Sequence, residues 1–553
     1  MTESPPTEAA ESSAAPLPGV SGLYDWLTTS DHKVIGRIWL RFGLLALLFS
    51  AVVGVLISIE RLDADSIDVF GGTNGYFQMW SLYRFGMLLI VALPLFVGLA
   101  TVVVPMQVGA TNIAFPRAAL AAAWGYVIGS LITVISVLAG GGWGATDGVS
   151  GNELDAMRLT LLGMGMVIVS VLLAAVCLAT TVVSLRTSGM GLMKVPLFAW
   201  SMLIAASVWV LTLPVLLANI AIIYVDMTGG LAADFGSLSD GHFGEPIGLG
   251  VYGQLAWILE QPAVYIAMIP VLGIAGSIIP VVAKGRQVSH AAMVVLIGLA
   301  GLFAIGGWSQ PAFGDNRDTL VYIAFGLGAV LPVLASLGGN GATLASGEAP
   351  VGIPPAHMIG ALGSMLLLLA ATTGGALRVI ATQLDFLDLT LDSTATTGVM
   401  NLVVVGAVLA AIGGWWFWAP KTDGRLLSPI QGLGAMTLLL GGGVLLGATD
   451  VIAGFAEAPD VMLESTGDGL VDAMVVVSMF GSILVALGVL GVIGAVAQAY
   501  AKPVEAGDDP WDGHSLEWAT SSPPPVGNFA EPPARVRSEA PLLDEAGDEG
   551  GES

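Results

Sequence analysis

Imidazole is well suited to hold iron or copper inside a membrane, because it binds strongly while carrying no charge of its own. The chain has five histidines, and His32, His242, His290, His357 and His514 all fall in loops, at the edges of apolar stretches or in the tail. The single cysteine, Cys177, excludes an intrachain disulfide or a cysteine-held cluster and reads as a small packing residue. Among the ionisable residues within apolar stretches, Arg84 and Glu260 stand out. An isolated charge in lipid is costly, so one reading makes them an interior charge pair that neutralises itself. In the other, Arg84 snorkels to the membrane surface while Glu260 faces a water-filled cavity.

Whatever these groups do, a membrane fold must position them. A mean hydropathy of +0.84, with 55% hydrophobic and 11% charged residues, places most of the chain in lipid. Apolar stretches run over 36–58, 79–108, 117–140, 158–183, 196–225, 249–282, 291–310, 319–338, 356–381, 398–418, 429–453 and 469–498. Each can cross the roughly 30 Å of hydrocarbon in a bilayer. Lipid satisfies no backbone polar group, so such stretches must be helices, and the 74 glycines suit close helix packing. The predicted fold is all-α, a polytopic bundle of about twelve transmembrane helices.

Residues 1–35 form an N-terminal arm, 36–498 the bundle and 499–553 an acidic, proline-containing tail. With the N-terminus inside, thirteen of the 18 lysines and arginines fall on the inner side, so the positive-inside rule places both termini in the cytoplasm. The net charge of −24 comes largely from the soluble parts, and both tails read as solvated and disordered. The arm is acidic and polar, unlike a cleavable signal peptide, so the first span is predicted to be retained.

Four blocks then stand out: Leu27 to Gly36 (LTTSDHKVIG), Val104 to Ala110 running into Ala114 to Arg117, Arg186 to Trp200 (RTSGMGLMKVPLFAW), and Asp509 to Pro525 with its Leu516-Glu517-Trp518 and triple proline. Together they resemble subunit I of the haem-copper oxidases, in the cytochrome c oxidase branch. The resemblance implies a twelve-helix subunit in which six histidines hold a low-spin haem, a high-spin haem and a copper.

None of those positions carries histidine here. The first low-spin haem position, counted back from Pro94, is Tyr83. The family's His-Pro-Glu-Val-Tyr reads Gln261-Pro262-Ala263-Val264-Tyr265, which removes a copper ligand and the proton-delivering glutamate. The two remaining copper ligands fall at Gln310 and Pro311, and the tenth-span haem ligands at Gly398 and Met400 when the register is anchored on Trp415 to Trp418; anchoring on Asp392 shifts it by one and still brings no histidine. The proton-channel aspartate corresponds to Asn112, its asparagine pair to Ala118 and Ala119, and the lysine of the second channel falls near Ser336. The loop of the propionate-binding arginines carries Glu457 and Asp460. Tyr83 and Met400 read as space-filling residues, and Tyr265 as an interior tyrosine with a hydrogen-bond partner.

The resemblance without its ligands leads to a non-catalytic subunit I-like protein that binds no haem or copper. Its partners would be membrane lipids and other cytochrome c oxidase or respiratory-complex subunits, with no nucleic acid, in a prokaryotic plasma membrane. The alternative is an active terminal oxidase with an atypical metal site. A channel or carrier reusing the interior would rest on Arg84 and Glu260 alone.

Overall fold

A computed structural model of the chain describes residues 23–63, 66–142, 151–227, 251–252, 255–304, 319–348, 352–383, 393–458 and 468–544. Asp31 caps the first long helix by accepting the Lys33 N–H. The helices are α1 (His32–Glu60), α2 (Thr73–Gln107), α3 (Pro116–Gly141), α4 (Gly151–Ser184), α5 (Leu197–Met227) and α6 (Gln261–Val282). They continue as α7 (His290–Phe303), α8 in two pieces (Thr319–Gly328 and Val330–Ser346), α9 (Ala356–Gln383), α10 (Thr394–Asp423), α11 (Pro429–Phe455) and α12 (Gly469–Ala501). Eleven contain stretches long and apolar enough to cross a membrane, and α7 is a shorter apolar helix. The twelve-helix expectation therefore holds, and no named strand occurs among the described residues.

Helices α2, α6 and α10 are buried almost all round, while the others bury one face and turn the other outward. In α2 a π-helical segment, Met87–Ala92, precedes Pro94. Proline has no N–H to offer the carbonyl four residues back, and that carbonyl, Ile90 O, instead accepts the Tyr126 hydroxyl of α3 at 2.8 Å.

Two expectations need correction. The sixth span, expected over 249–282, has its helix begin at Gln261 with Pro262 in the first turn. Glu260 therefore precedes the helix, with a non-helical backbone, rather than lying within it. The tail, expected to be disordered, is packed against the bundle as far as residue 544. Its Leu516, Trp518, Val536 and Ala540 are buried, because it threads apolar side chains between the helix ends and ties down the polar backbone that comes with them. Polar composition had hidden these few anchors.

Candidate functional site

On the side of the bundle away from the tail, Glu260 and Gln261 stand at the start of α6, and one turn later Tyr265 donates its hydroxyl to Phe325 O at 2.5 Å. Arg378 of α9 reaches the same place and forms an ion pair with Glu260, while its Nη1 donates to Thr396 Oγ1 at 2.8 Å. The group lines a cavity of about 30 Å³. Tyr265 is thus the interior, hydrogen-bonded tyrosine expected from its sequence.

The Arg84–Glu260 pair is not what the structure builds. Arg84, buried in the last turn of the Thr73–Gly86 part of α2, lays its guanidinium over the Trp80 ring at 4.6 Å, with Tyr252 at 5.9 Å. Trp80 is one turn back on the same helix face, which places the ring beneath the cation. Glu260 faces α9 instead, because its position before the helix points it towards Arg378.

At the other positions expected for ligands, side chains and backbone fill the interior. The Tyr83 ring packs on α1 so closely that a Cβ at Gly54 would lie 2.9 Å from it. Met400 is buried in α10. A Cβ at Gly398 would lie 2.4 Å from Val451 N and 2.7 Å from Gly447 O, so this position is a backbone contact between α10 and α11. Gln310 and Pro311 lie outside the described residues, as does His242. Among the described residues no group of three or more His, Cys, Asp or Glu side chains is placed to hold a metal ion. Sequence reasoning missed a second buried pair near Tyr83: Asp450 of α11 takes Arg61 Nη1 at 2.9 Å and Asn401 Nδ2 at 3.3 Å. An aspartate inside an apolar span was the signal that could have found it.

The four sequence blocks meet at the opposite end, the tail face. Glu517 is buried, and its Oε1 accepts Gln107 Nε2 at 2.9 Å and Trp418 Nε1 at 3.1 Å. Burial pushes its carboxyl above the ordinary carboxylate range against the pull of these hydrogen bonds. Gln107 in turn accepts the Ala199 N–H at 3.1 Å. Asn528, fully buried, donates Nδ2 to Ala110 O at 2.8 Å and accepts Lys33 Nζ at 3.2 Å. Its Oδ1 lies 2.9 Å from His32 Nε2, and His32 Nδ1 lies 2.8 Å from Thr101 O. Val536 N–H bonds Ser188 O and Thr187 N–H bonds Val108 O, joining the third block to the tail and to the second. Lys421 of α10, fully buried, donates to Asp508 O at 2.8 Å and Thr520 O at 2.6 Å. Asn112, at the position of the channel aspartate, is used locally and donates to Ser30 O at 2.9 Å.

This arrangement clasps the tail to α1, α2, α10 and the loop before α5. His32, His290 and His357 open helices and His514 lies in the tail, as the sequence implied.

Comparison with known proteins gives the frame a lineage. Residues 34–498 match the profile of the family described as cytochrome C and quinol oxidase polypeptide I. A putative cytochrome c oxidase subunit 1-beta of Streptomyces coelicolor is 30% identical, over 94% of this chain and 90% of that protein. Cytochrome c oxidase subunit 1 of Bacillus subtilis is 27% identical, over 94% of this chain and 83% of its own length. The fold also resembles a chain in the cryo-EM structure of a heme-copper terminal oxidase dimer, with a TM-score of 0.67 at 16% identity, covering 94% of this chain and 89% of that one. The chain therefore belongs to the cytochrome c and quinol oxidase polypeptide I family.

Proposed function

We propose that this chain is a non-catalytic subunit I homologue, a pseudoenzyme that serves as a scaffold or assembly partner of respiratory complexes and binds neither haem nor copper. The observation that carries the reading is the character of the ligand positions. A haem needs axial donors and room for a porphyrin. Tyr83, Gln261, Gly398 and Met400 offer a phenol, an amide, no side chain and a thioether. The cavity beside Gln261 and Tyr265 has space for a water or two, and Gly398 admits no larger side chain without parting two helices. These residues do not fit two haems and a copper.

Partnership with other oxidase subunits is supported by the names of the relatives, which are subunits of larger oxidases. The bacterial relatives support a prokaryotic plasma membrane, and the charge distribution supports both termini in the cytoplasm. The purified chain is expected to show no Soret band and no stoichiometric iron or copper. One equivalent of haem that survives detergent washing would sink the proposal and favour an active oxidase. Gentle solubilisation should recover the chain with respiratory subunits, and its deletion should impair assembly of new complexes more than turnover of existing ones.

A further inference from the structure

A cluster of cations stands at the tail end of the bundle, where α1 meets the ends of α10 and α12. Arg41 of α1 donates Nη2 to the Tyr500 hydroxyl at 3.0 Å, and Tyr500 in turn donates to Asp423 Oδ1 at 2.5 Å. Arg425, just past α10, lies over the Tyr500 ring at 4.5 Å. Arg41 lies 5.6 Å from the centre of the same ring and 5.4 Å from that of Trp26, on the short helix Leu23–Thr28. The two guanidiniums that share Tyr500 are therefore no more than about 10 Å apart. Arg37, one turn before Arg41 on the same face of α1, and the exposed Lys502, two residues beyond Tyr500, add to the charge.

The chain does not balance this charge itself. Arg37, Arg41 and Arg425 donate to Lys33 O, the Tyr500 hydroxyl and Ala499 O, and none forms an ion pair among the described residues. Asp423 touches the cluster but is buried, with Oδ1 taken by Tyr500 and Oδ2 by Trp415 Nε1 at 3.0 Å and Thr422 Oγ1 at 2.8 Å. Glu505 is exposed and meets Arg425 through an antiparallel backbone bridge. A guanidinium carries five N–H donors. Arg41 and Arg425, both half-exposed, each spend one.

Depth identifies what carries the missing anion. Arg41 and Arg61, which closes α1 at its other end, are separated by about 30 Å of helix, the thickness of the hydrocarbon core. Arg41 therefore stands at headgroup level, beside the ends of α10 and α12. Trp26 and Tyr500 are aromatics of the kind that gather at this level. Phosphate is the anion that a lipid presents there, and forked guanidiniums match its oxygens. A zwitterionic headgroup brings a cation of its own into an already positive place, so a net-negative headgroup is selected.

We propose that Arg41 and Arg425, with Trp26 and Tyr500, form a binding site for the phosphate of an anionic phospholipid in the leaflet on the tail side. The bound headgroup joins α1 to the turn between α10 and α11. It also relieves the like-charge contact of Arg37 with Arg41.

The test strips the full chain of lipid in detergent, offers it equal amounts of phosphatidylglycerol and phosphatidylcholine, and counts the bound lipid by native mass spectrometry. An arginine facing an anionic headgroup is worth about fivefold in affinity, so one phosphatidylglycerol should be retained with at least about tenfold preference. Arg41→Gln should cut that preference about fivefold, and Arg41→Gln combined with Arg425→Gln should remove it. Arg117→Gln, at an exposed arginine near the start of α3 on the same side of the bundle, should leave it unchanged. Equal retention of the two lipids, or an unchanged preference in the double variant, would overturn the proposal. So would an equal loss in Arg117→Gln, which would assign the preference to overall charge. Displacement of phosphatidylglycerol by millimolar inorganic phosphate would overturn it too, making the site one for a soluble anion. If the double variant fails to fold, Arg41→Gln alone decides.

Discussion

At the tail face, residues as far apart in sequence as His32 and Asn528 lie within 2.9 Å, and each of the four family-like blocks supplies at least one partner to another block or to the tail. At the positions expected for ligands, Tyr83, Gln261, Gly398 and Met400 offer a phenol, an amide, no side chain and a thioether, and the Glu260–Arg378 pair stands beside Gln261. The contrast separates two reasons for keeping a sequence. On the proposed reading, positions that hold no metal are free to be built around an ion pair or a helix contact. The clasp residues are kept for one another. Retention of RTSGMGLMKVPLFAW thus reports, at least in part, a contact within the chain, since Ser188 and Thr187 bond the tail and α2's end. A docking role for this face must use the surface that the tail leaves uncovered.

The largest expected effect lies at the ligand level. Arg378→Leu should cost roughly 3–5 kcal/mol, because a mostly buried carboxylate at Glu260 loses its counter-charge. Replacing both residues with leucine should be tolerated better than the single change. Thermal unfolding in detergent reads the difference, and a double-mutant cycle in which the two changes simply add would show that the pair is not coupled.

Placing a histidine at an expected ligand position is the next test. Gly398→His should cost about 3 kcal/mol, since its side chain must push α11 away from a contact that already leaves no room for Cβ. A variant as stable as the natural chain, or one that gains a haem spectrum, would mean that the interior has room for a haem ligand.

At the tail face, Asn528→Ala removes the donor to Ala110 O and the acceptor for Lys33, for roughly 1–3 kcal/mol. The loss should appear as faster proteolysis within 503–544 rather than as melting of the bundle. Equal protection of the tail in the variant would show that the other anchors suffice.

The helices were legible because hydrophobic length alone specifies a membrane span, and the edge positions of the histidines follow directly from it. The tail was not legible. Proline, glycine and acidic residues dominate its composition, and a handful of anchors such as Glu517, Trp518 and Asn528 outweigh that average only when Gln107, Trp418 and His32 are in place. Glu260 was a sound signal with the wrong partner. An ionisable residue at a helix end needs a counter-charge, but sequence spacing cannot say whether Arg84 or Arg378 supplies it; with Pro262 in the first turn, Glu260 stands at the cap position and meets Arg378 of α9. Asp450 and Arg61 were legible in part, because a lone acid in an apolar stretch asks for a cation.

The smallest effect is the most diagnostic of the clasp. Burial raises the Glu517 carboxyl above its ordinary range when the tail is docked, so docking favours the protonated acid. Below the ordinary carboxylate range both docked and released tails carry the proton, and the contribution is fully present. As pH rises through that range and towards the docked value, the released tail gives up its proton first and docking weakens. Both hydrogen bonds at Glu517 enter Oε1, leaving Oε2 buried with no hydrogen-bond partner, which suits an uncharged carboxyl better than a carboxylate. Glu517→Gln keeps the shape and the acceptor but cannot ionise, so its tail should resist proteolysis equally at acid and mildly alkaline pH. The natural chain should lose protection over the same interval. A natural chain with a flat profile, or a glutamine variant with the same slope, would assign the pH response to some group other than Glu517.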